Sequence, residues 1–336
     1  MTDPMRLGAL AAATGLPRDL SPGTGPVRAA DEAALLDLAV SHRILGFLQE
    51  AVATSVLSAS ARFEQQVSEQ HRLALRASLA NERTAVTTSR LLAERGIASR
   101  ALKGAAMAHL DYPDPALRTF GDADVLIPRS ALPAALACLT AAHHRRQHPP
   151  VRGWWERRYG KAVVLFTPDG LELDLHLTLA SGYYGLSLID QELFEAPGEA
   201  YELGGVTMTA LAPQHRLLHA AYHSVLGGGS GLRALRDVAQ LCHRADSTVT
   251  DAVNTVAGWR GTAVLATAIR RSWATLALPD DHPAARWANA VSIGQDDERR
   301  LGAHRAEVVD GWAAEGRDAA AALRLPDRLA YSAGLA

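Results

Sequence analysis

Apolar residues recur at helical spacing through the first third of the chain, give way to alternation, and then return to helical spacing. Between residues 31 and 52, Leu35, Leu36, Leu38, Ile44, Leu45 and Leu48 mark one amphipathic helix. Phe63, Val67, Leu73, Leu75, Leu79, Leu91 and Leu92 mark a longer one over 58–95, which Gly96 closes as a C-cap. Ahead of both, residues 1–28 are rich in Gly, Pro and Thr, and Pro17, Pro22 and Pro26 break any helix, so a loose lead-in is expected. The period then changes. Residues 97–102 read as a strand, 104–110 as a short helix, and 123–127 as a strand stopped by Pro128. Ser130 is placed to cap a helix reaching residue 142. Residues 143–150 read as a basic loop. Residues 161–166 and 171–178 form a hairpin around Pro168-Asp169-Gly170, and 201–210 a second around Gly204-Gly205. From Pro213 onward the pattern is helical, with one break at 227–231 that is flexible by composition. This order predicts an α+β fold, a small mixed sheet flanked by helical regions, with boundaries near residues 95 and 210.

The alternation also sorts the polar residues. On a strand, positions two apart share a face, so Asp122 and Asp124 project together, as do Glu172, Asp174 and His176. If the two strands are neighbours, the acids converge on one volume. Such a cluster is costly unless a cation neutralises it, and hard oxygen ligands select Mg²⁺. Asp122, Asp124 and Asp174 are therefore the expected ligands and catalytic carboxylates; the plainer reading of Asp122 and Asp124 is strand-end acids facing solvent. Glu172 and His176 fit a metal or acceptor contact and equally a supporting place. Lys103-Gly104 opens a helix whose first amides favour an anion. Lys103 fits a phosphate contact, or an ion pair with Asp122 or Asp124. Arg118 fits a phosphate clamp, or a salt bridge to Asp114 or Asp111. Of 34 lysines and arginines, two are lysine, Lys103 and Lys161. A compact ammonium surviving that bias fits a phosphate site that a guanidinium would not enter.

Other motifs carry bland alternatives beside functional ones. The histidines and arginines of 143–148 suit a solvated loop better than a metal site. Trp154, Trp155 and Tyr159 fit either a stacking surface or a cover for the sheet edge. His215, His219 and His223 recur every four residues, a spacing that can make a metal site and that a packed helix face explains as well. By spacing alone, Arg233 and Asp237 read as a helix-surface pair worth a few tenths of a kcal/mol.

The ordered set Leu102-Lys103-Gly104, Tyr112-Pro113-Asp114, Arg118, Asp122-Ala123-Asp124 and Leu173-Asp174-Leu175-His176 resembles the bacterial uncharacterised nucleotidyltransferase family, within the DNA polymerase beta nucleotidyltransferase superfamily. The likeness is sharpest over 95–180 and extends to 213–218 and 232–237, which leaves room for Arg233 and Asp237 to contact the nucleotide. It departs in having Lys103-Gly104 where the superfamily usually has Gly-Ser. The resemblance implies a nucleotidyltransferase core over 96–210 between an N-terminal helical region, 1–95, and a C-terminal one, 211–336. It implies transfer of an NMP, by default AMP, from an NTP with two Mg²⁺ ions, and Lys103, Gly104, Arg118, Lys161 and His176 as nucleotide-binding residues. It also points to specialised metabolism as a setting.

Composition narrows the partners. A formal net charge of -2 gives no pull towards nucleic acid. Two cysteines, Cys138 and Cys242, make no disulfide framework and match no metal spacing. No apolar run reaches the roughly 18 residues of a membrane span, and no leader is recognisable, so a cytoplasmic protein is expected. The acceptor, whether a small molecule, peptide or protein, is not written in these residues. Two rivals stay open: an inactive nucleotide- or peptide-binding scaffold or sensor with the same fold, and another phosphate transfer at the same site.

Overall fold

The computed structural model describes residues 3–17, 27–149, 153–188, 190–226 and 231–303. Among them, seven strands form one mixed sheet: β1 (Arg100–Ala101), β2 (Ala123–Leu126), β3 (Arg145–Arg146), β4 (Ala162–Phe166), β5 (Glu172–His176), β6 (Glu199–Leu203) and β7 (Val206–Ala210). Their order across the sheet is β3-β4-β5-β2-β1-β7-β6. The α+β expectation holds, with helices before and after the sheet. β2 and β5 are parallel neighbours, and their register sets Asp124 directly beside Asp174. Both hairpins form: β4 with β5, turning at Gly170, and β6 with β7, where Gly204 and Gly205 take φ of 57° and 74°.

The alternation in β4 and β5 works as its sequence implies. Val163, Leu165, Leu173 and Leu175 bury into one apolar core with Val125, Ile127 and Leu92, leaving Glu172 and Asp174 on the other face. β2 is buried at all four positions, which is how Asp124 comes to be a nearly inaccessible acid. The helix Ala61–Ala93 covers this core. Its end is a Schellman turn: the Gly96 amide donates to the Ala93 carbonyl and the Ile97 amide to the Leu92 carbonyl, with Gly96 at φ 67°. A second core joins helices from before and after the sheet, drawing Leu7, Leu35 and Phe47 together with Leu218, Val238 and Trp259.

Several elements differ from the sequence expectation. The lead-in contains a helix, Pro4–Ala12, because Asp3 caps it and Pro4 suits its first turn. Leu7, Ala11 and Ala12 bury there. The single helix expected over 31–52 is two, Ala29–Ser41 and Leu45–Ala53. The break falls at Arg43, whose φ is 54°. Gly46, inside the second helix, lets that helix approach the 116–117 backbone closely, since a Cβ there would lie 2.4 Å from the Leu117 carbonyl oxygen. The strand over 97–102 shrinks to Arg100–Ala101, and Leu102 instead donates its amide to the Asp124 carbonyl at 3.0 Å. Ser130 caps nothing. It lies in a 3-10 turn, Arg129–Ala131, and Leu132–Ala141 starts without a side-chain cap. The basic loop contains β3, paired with β4 at the sheet edge. Of the glycine-rich break, 227–230 lie outside the described residues. Among the described residues no helix is long and apolar enough to cross a membrane.

Candidate metal and nucleotide site

Two parallel strands supply the centre of the site. Asp124 of β2 is 4% exposed. Its Oδ1 accepts hydrogen bonds from Lys103 Nζ and from His176 Nε2, both at 2.7 Å. Burial works to raise this carboxyl, and the Lys103 ammonium and His176 outweigh it, so Asp124 stays ionised far below the ordinary carboxylate range. Asp174 is the opposite case. Burial raises it, His176 opposes, and the charges of Asp124 and Asp122 raise it further. Its Oδ1 is buried with no hydrogen-bond partner among the described residues. Glu172, one pleat along, is also raised, by burial and by Asp174.

Asp124, Asp174 and His176 each offer a ligand atom, and these atoms lie within 4.8 Å of one another. Two hard oxygens and an imidazole nitrogen suit a divalent cation, and the orphaned Asp174 oxygen is the lone pair such an ion would take up. This triad differs from the expected set by exchanging Asp122 for His176. Asp122 precedes β2, stays more open, and stands 4.0 Å from Arg43 Nη1. It shares with Asp124 a cavity of about 340 Å³, also lined by His42, Arg43, Lys103, Gly104, Arg118, His223 and Arg233. That volume lies at the lower end of the range for small-molecule sites.

Lys103 begins the helix Lys103–Leu110 with φ 27°, a strained place for a side chain. Of its two sequence readings, the ion pair with Asp124 is the contact seen. Gly104 has a packing reason. A Cβ there would lie 2.9 Å from Phe120 Cδ2. Arg118 pairs with neither Asp114 nor Asp111. Asp114 caps the turn Pro115–Leu117, and Asp111 is held by Arg216 and Arg244. Arg118 makes a bidentate pair with Asp237, Nε to Oδ1 and Nη2 to Oδ2, both 2.8 Å, and Tyr112 donates its hydroxyl to the same Oδ1. The Tyr-Pro-Asp and Arg elements of the motif thus anchor the helix Leu232–Cys242 to the site. This overturns the surface pair expected of Arg233 and Asp237: Asp237 is buried and taken. Arg233 lines the cavity instead. Burial, with the Arg118 charge beside it, lowers its guanidinium to about 10.

Lys161 flanks β4, and its charge reaches His219 and His223. The three histidines of the helix Pro213–Leu226 have three surroundings. His215 packs on Trp259 with ring centroids 5.3 Å apart, His219 meets the His176 ring at 5.9 Å, and His223 borders the cavity. Burial keeps all three neutral, His215 down to about 4, and it does the same for His243, also about 4. Unfolded histidine titrates near 6.5, so stability is complete above that pH and is lost as the pH falls towards 4, where the unfolded chain takes up protons that the fold refuses. Denaturation midpoints at pH 7.5, 5.5 and 4.5 should fall in that order, with a shallower fall in His215→Leu. A flat profile would contradict the buried neutral state.

Trp155 and Tyr159 are core residues, while exposed Trp154 borders a different cavity with Arg129, Arg157 and Arg158. Arg43 is a cavity residue that no sequence signal marked. It emerges only from the helix break that brings it to Asp122. Comparison with known proteins agrees with the motif. Residues 28–269, more than half of the chain, match the model of a family described as uncharacterised nucleotidyltransferase. No curated protein matches the chain. A solved antigenic nucleotidyltransferase-like protein from Paracoccidioides brasiliensis is similar over 54% of this chain and 92% of its own, at 15% identity and a TM-score of 0.33. That likeness is too distant to bear on mechanism.

Proposed function

The chain belongs to the uncharacterised nucleotidyltransferase family, and from that membership we propose that it transfers a nucleotidyl group, AMP by default, from an NTP to a non-nucleic-acid acceptor. The observation that carries this reading is the in-register pair Asp124 and Asp174, with one oxygen of Asp174 buried and unpartnered. Asp124 and Asp174 would hold a divalent cation, Mg²⁺ by the hardness of carboxylate oxygen, with Asp122 available to a second. The bound ion supplies charge neutralisation and polarises the phosphate oxygens.

The protein's own groups do the rest. His176 fixes the Asp124 carboxylate through its Nε2 hydrogen bond. Asp174 would orient the acceptor hydroxyl beside the ion and take up its proton. Lys103 is close enough to share its charge between Asp124 and a phosphate oxygen. Attack at the alpha phosphorus forms the acceptor–phosphorus bond, breaks the bond to the bridging oxygen and releases pyrophosphate. A second reading, nucleotide binding without transfer, is favoured by one contact: Lys103 spends its charge on Asp124. Calorimetric titration of the four NTPs with Mg²⁺, followed by a pyrophosphate-release screen over acceptor classes, separates the two. Metal-dependent binding with pyrophosphate release supports transfer. Binding alone supports the second reading, and no NTP binding to folded protein overturns both.

A further inference from the structure

Four cations line the cavity beside Asp124: Arg43, Lys103, Arg118 and Arg233. Two are committed. Lys103 sits on Asp124, and the Arg118 fork is filled by Asp237. Because Asp237 is taken, Arg233 has no carboxylate among its described hydrogen-bond partners. Its one such bond is a long donation from Nη1 to the Thr119 carbonyl, 3.4 Å. Arg43 holds Asp122 only at 4.0 Å, with its side chain 49% exposed. A guanidinium presents five donors in a planar fork, so these two residues leave most of their donors without a described protein acceptor at one cavity.

The two arrive from distant parts of the chain. Arg43 stands at the break between the helices Ala29–Ser41 and Leu45–Ala53, at φ 54°. Arg233 stands in the first turn of Leu232–Cys242. His42 Nδ1 accepts the Leu232 amide at 3.0 Å and ties the two segments together. The acids of the cavity, Asp122 and Asp124, disfavour a bare anion but not a polyphosphate carried with a divalent cation. A planar fork on two oxygens of one phosphate is the geometry for which Arg is suited and Lys is not. Building on the nucleotidyl reading above, we infer that Arg233 and Arg43 form the subsite for the polyphosphate tail of the substrate, the part that leaves as pyrophosphate.

The probe is inorganic tripolyphosphate with Mg²⁺, titrated beside Mg²⁺-ATP and AMP into wild type, Arg233→Met, Arg233→Lys, Arg43→Met and Arg90→Met. Exposed Arg90, on the helix Ala61–Ala93, controls for the loss of one positive charge. Arg233→Met should weaken tripolyphosphate and ATP by roughly ten- to a hundredfold, the range of one charge-assisted contact. Arg233→Lys should recover part of that, Arg43→Met should show a smaller loss, and AMP binding and Arg90→Met should be unaffected. Equal tripolyphosphate binding by wild type, Arg233→Met and Arg43→Met would overturn the subsite, as would no binding of it to wild type. Tripolyphosphate binding that depends on Arg233, with no NTP bound, would uphold the subsite and remove the nucleotidyl reading instead.

Discussion

Asp174→Asn is expected to abolish nucleotidyl transfer and weaken divalent-cation binding at least a hundredfold, while the unfolding midpoint stays level or rises. The electrostatics of the pair predict this split. Asp174 is a desolvated carboxyl raised by its surroundings, with one oxygen unpartnered and Asp124 and Asp122 repelling its charge. Its ionised form costs the fold stability, so neutralising it costs little. Asp124→Asn is the contrasting case. It leaves the Lys103 ammonium without its 2.7 Å counter-charge and His176 without its ionised acceptor. Breaking a buried pair by removing one partner costs about 3–5 kcal/mol, reduced here because Lys103 keeps some solvent contact. Mn²⁺ titration and urea denaturation of both variants test the split. Equal destabilisation by the two substitutions, or full metal affinity in Asp174→Asn, would contradict it.

The largest effect on stability is expected at Arg118 and Asp237. The guanidinium is 1% exposed and the carboxylate 4%, and the pair is bidentate. Asp237→Ala strands the Arg118 charge inside the protein and leaves the Tyr112 hydroxyl without its acceptor, for a loss of about 3–5 kcal/mol. Arg118→Met strands the opposite charge at a similar cost. The double variant Arg118→Met, Asp237→Leu removes both charges and should recover most of the loss. A double-mutant cycle by urea denaturation measures the coupling. Single losses under about 1 kcal/mol, the level of exposed pairs, would show that the pair anchors nothing.

What the chain alone disclosed follows from how local each signal is. The spacing of Asp122, Asp124, Asp174 and His176 is a strand periodicity, and it placed Asp124, Asp174 and His176 together once β2 and β5 proved to be neighbours. Asp122, which lies before β2 begins, is not in that group of three but lines the same cavity as Asp124. Arg118 and Asp237 are 119 residues apart, and no local pattern encodes such a pairing. The four-residue spacing of Arg233 and Asp237 pointed instead to a surface pair, which tertiary burial overrode. Arg43 escaped because it depends on a break between two helices, at its own φ of 54°, that the apolar spacing does not mark. The three histidines at 215, 219 and 223 were legible as a packed face. Their separate neighbours, Trp259, His176 and the cavity, come from three different parts of the fold.

The most direct measurement is anomalous scattering from crystals grown with Mn²⁺ and a non-hydrolysable ATP analogue. A metal peak shared by Asp124 and Asp174 is expected, with the triphosphate in the cavity bordered by Lys103 and Arg233. A peak elsewhere, such as on the histidines of 143–148, or a nucleotide bound away from this cavity, would contradict it.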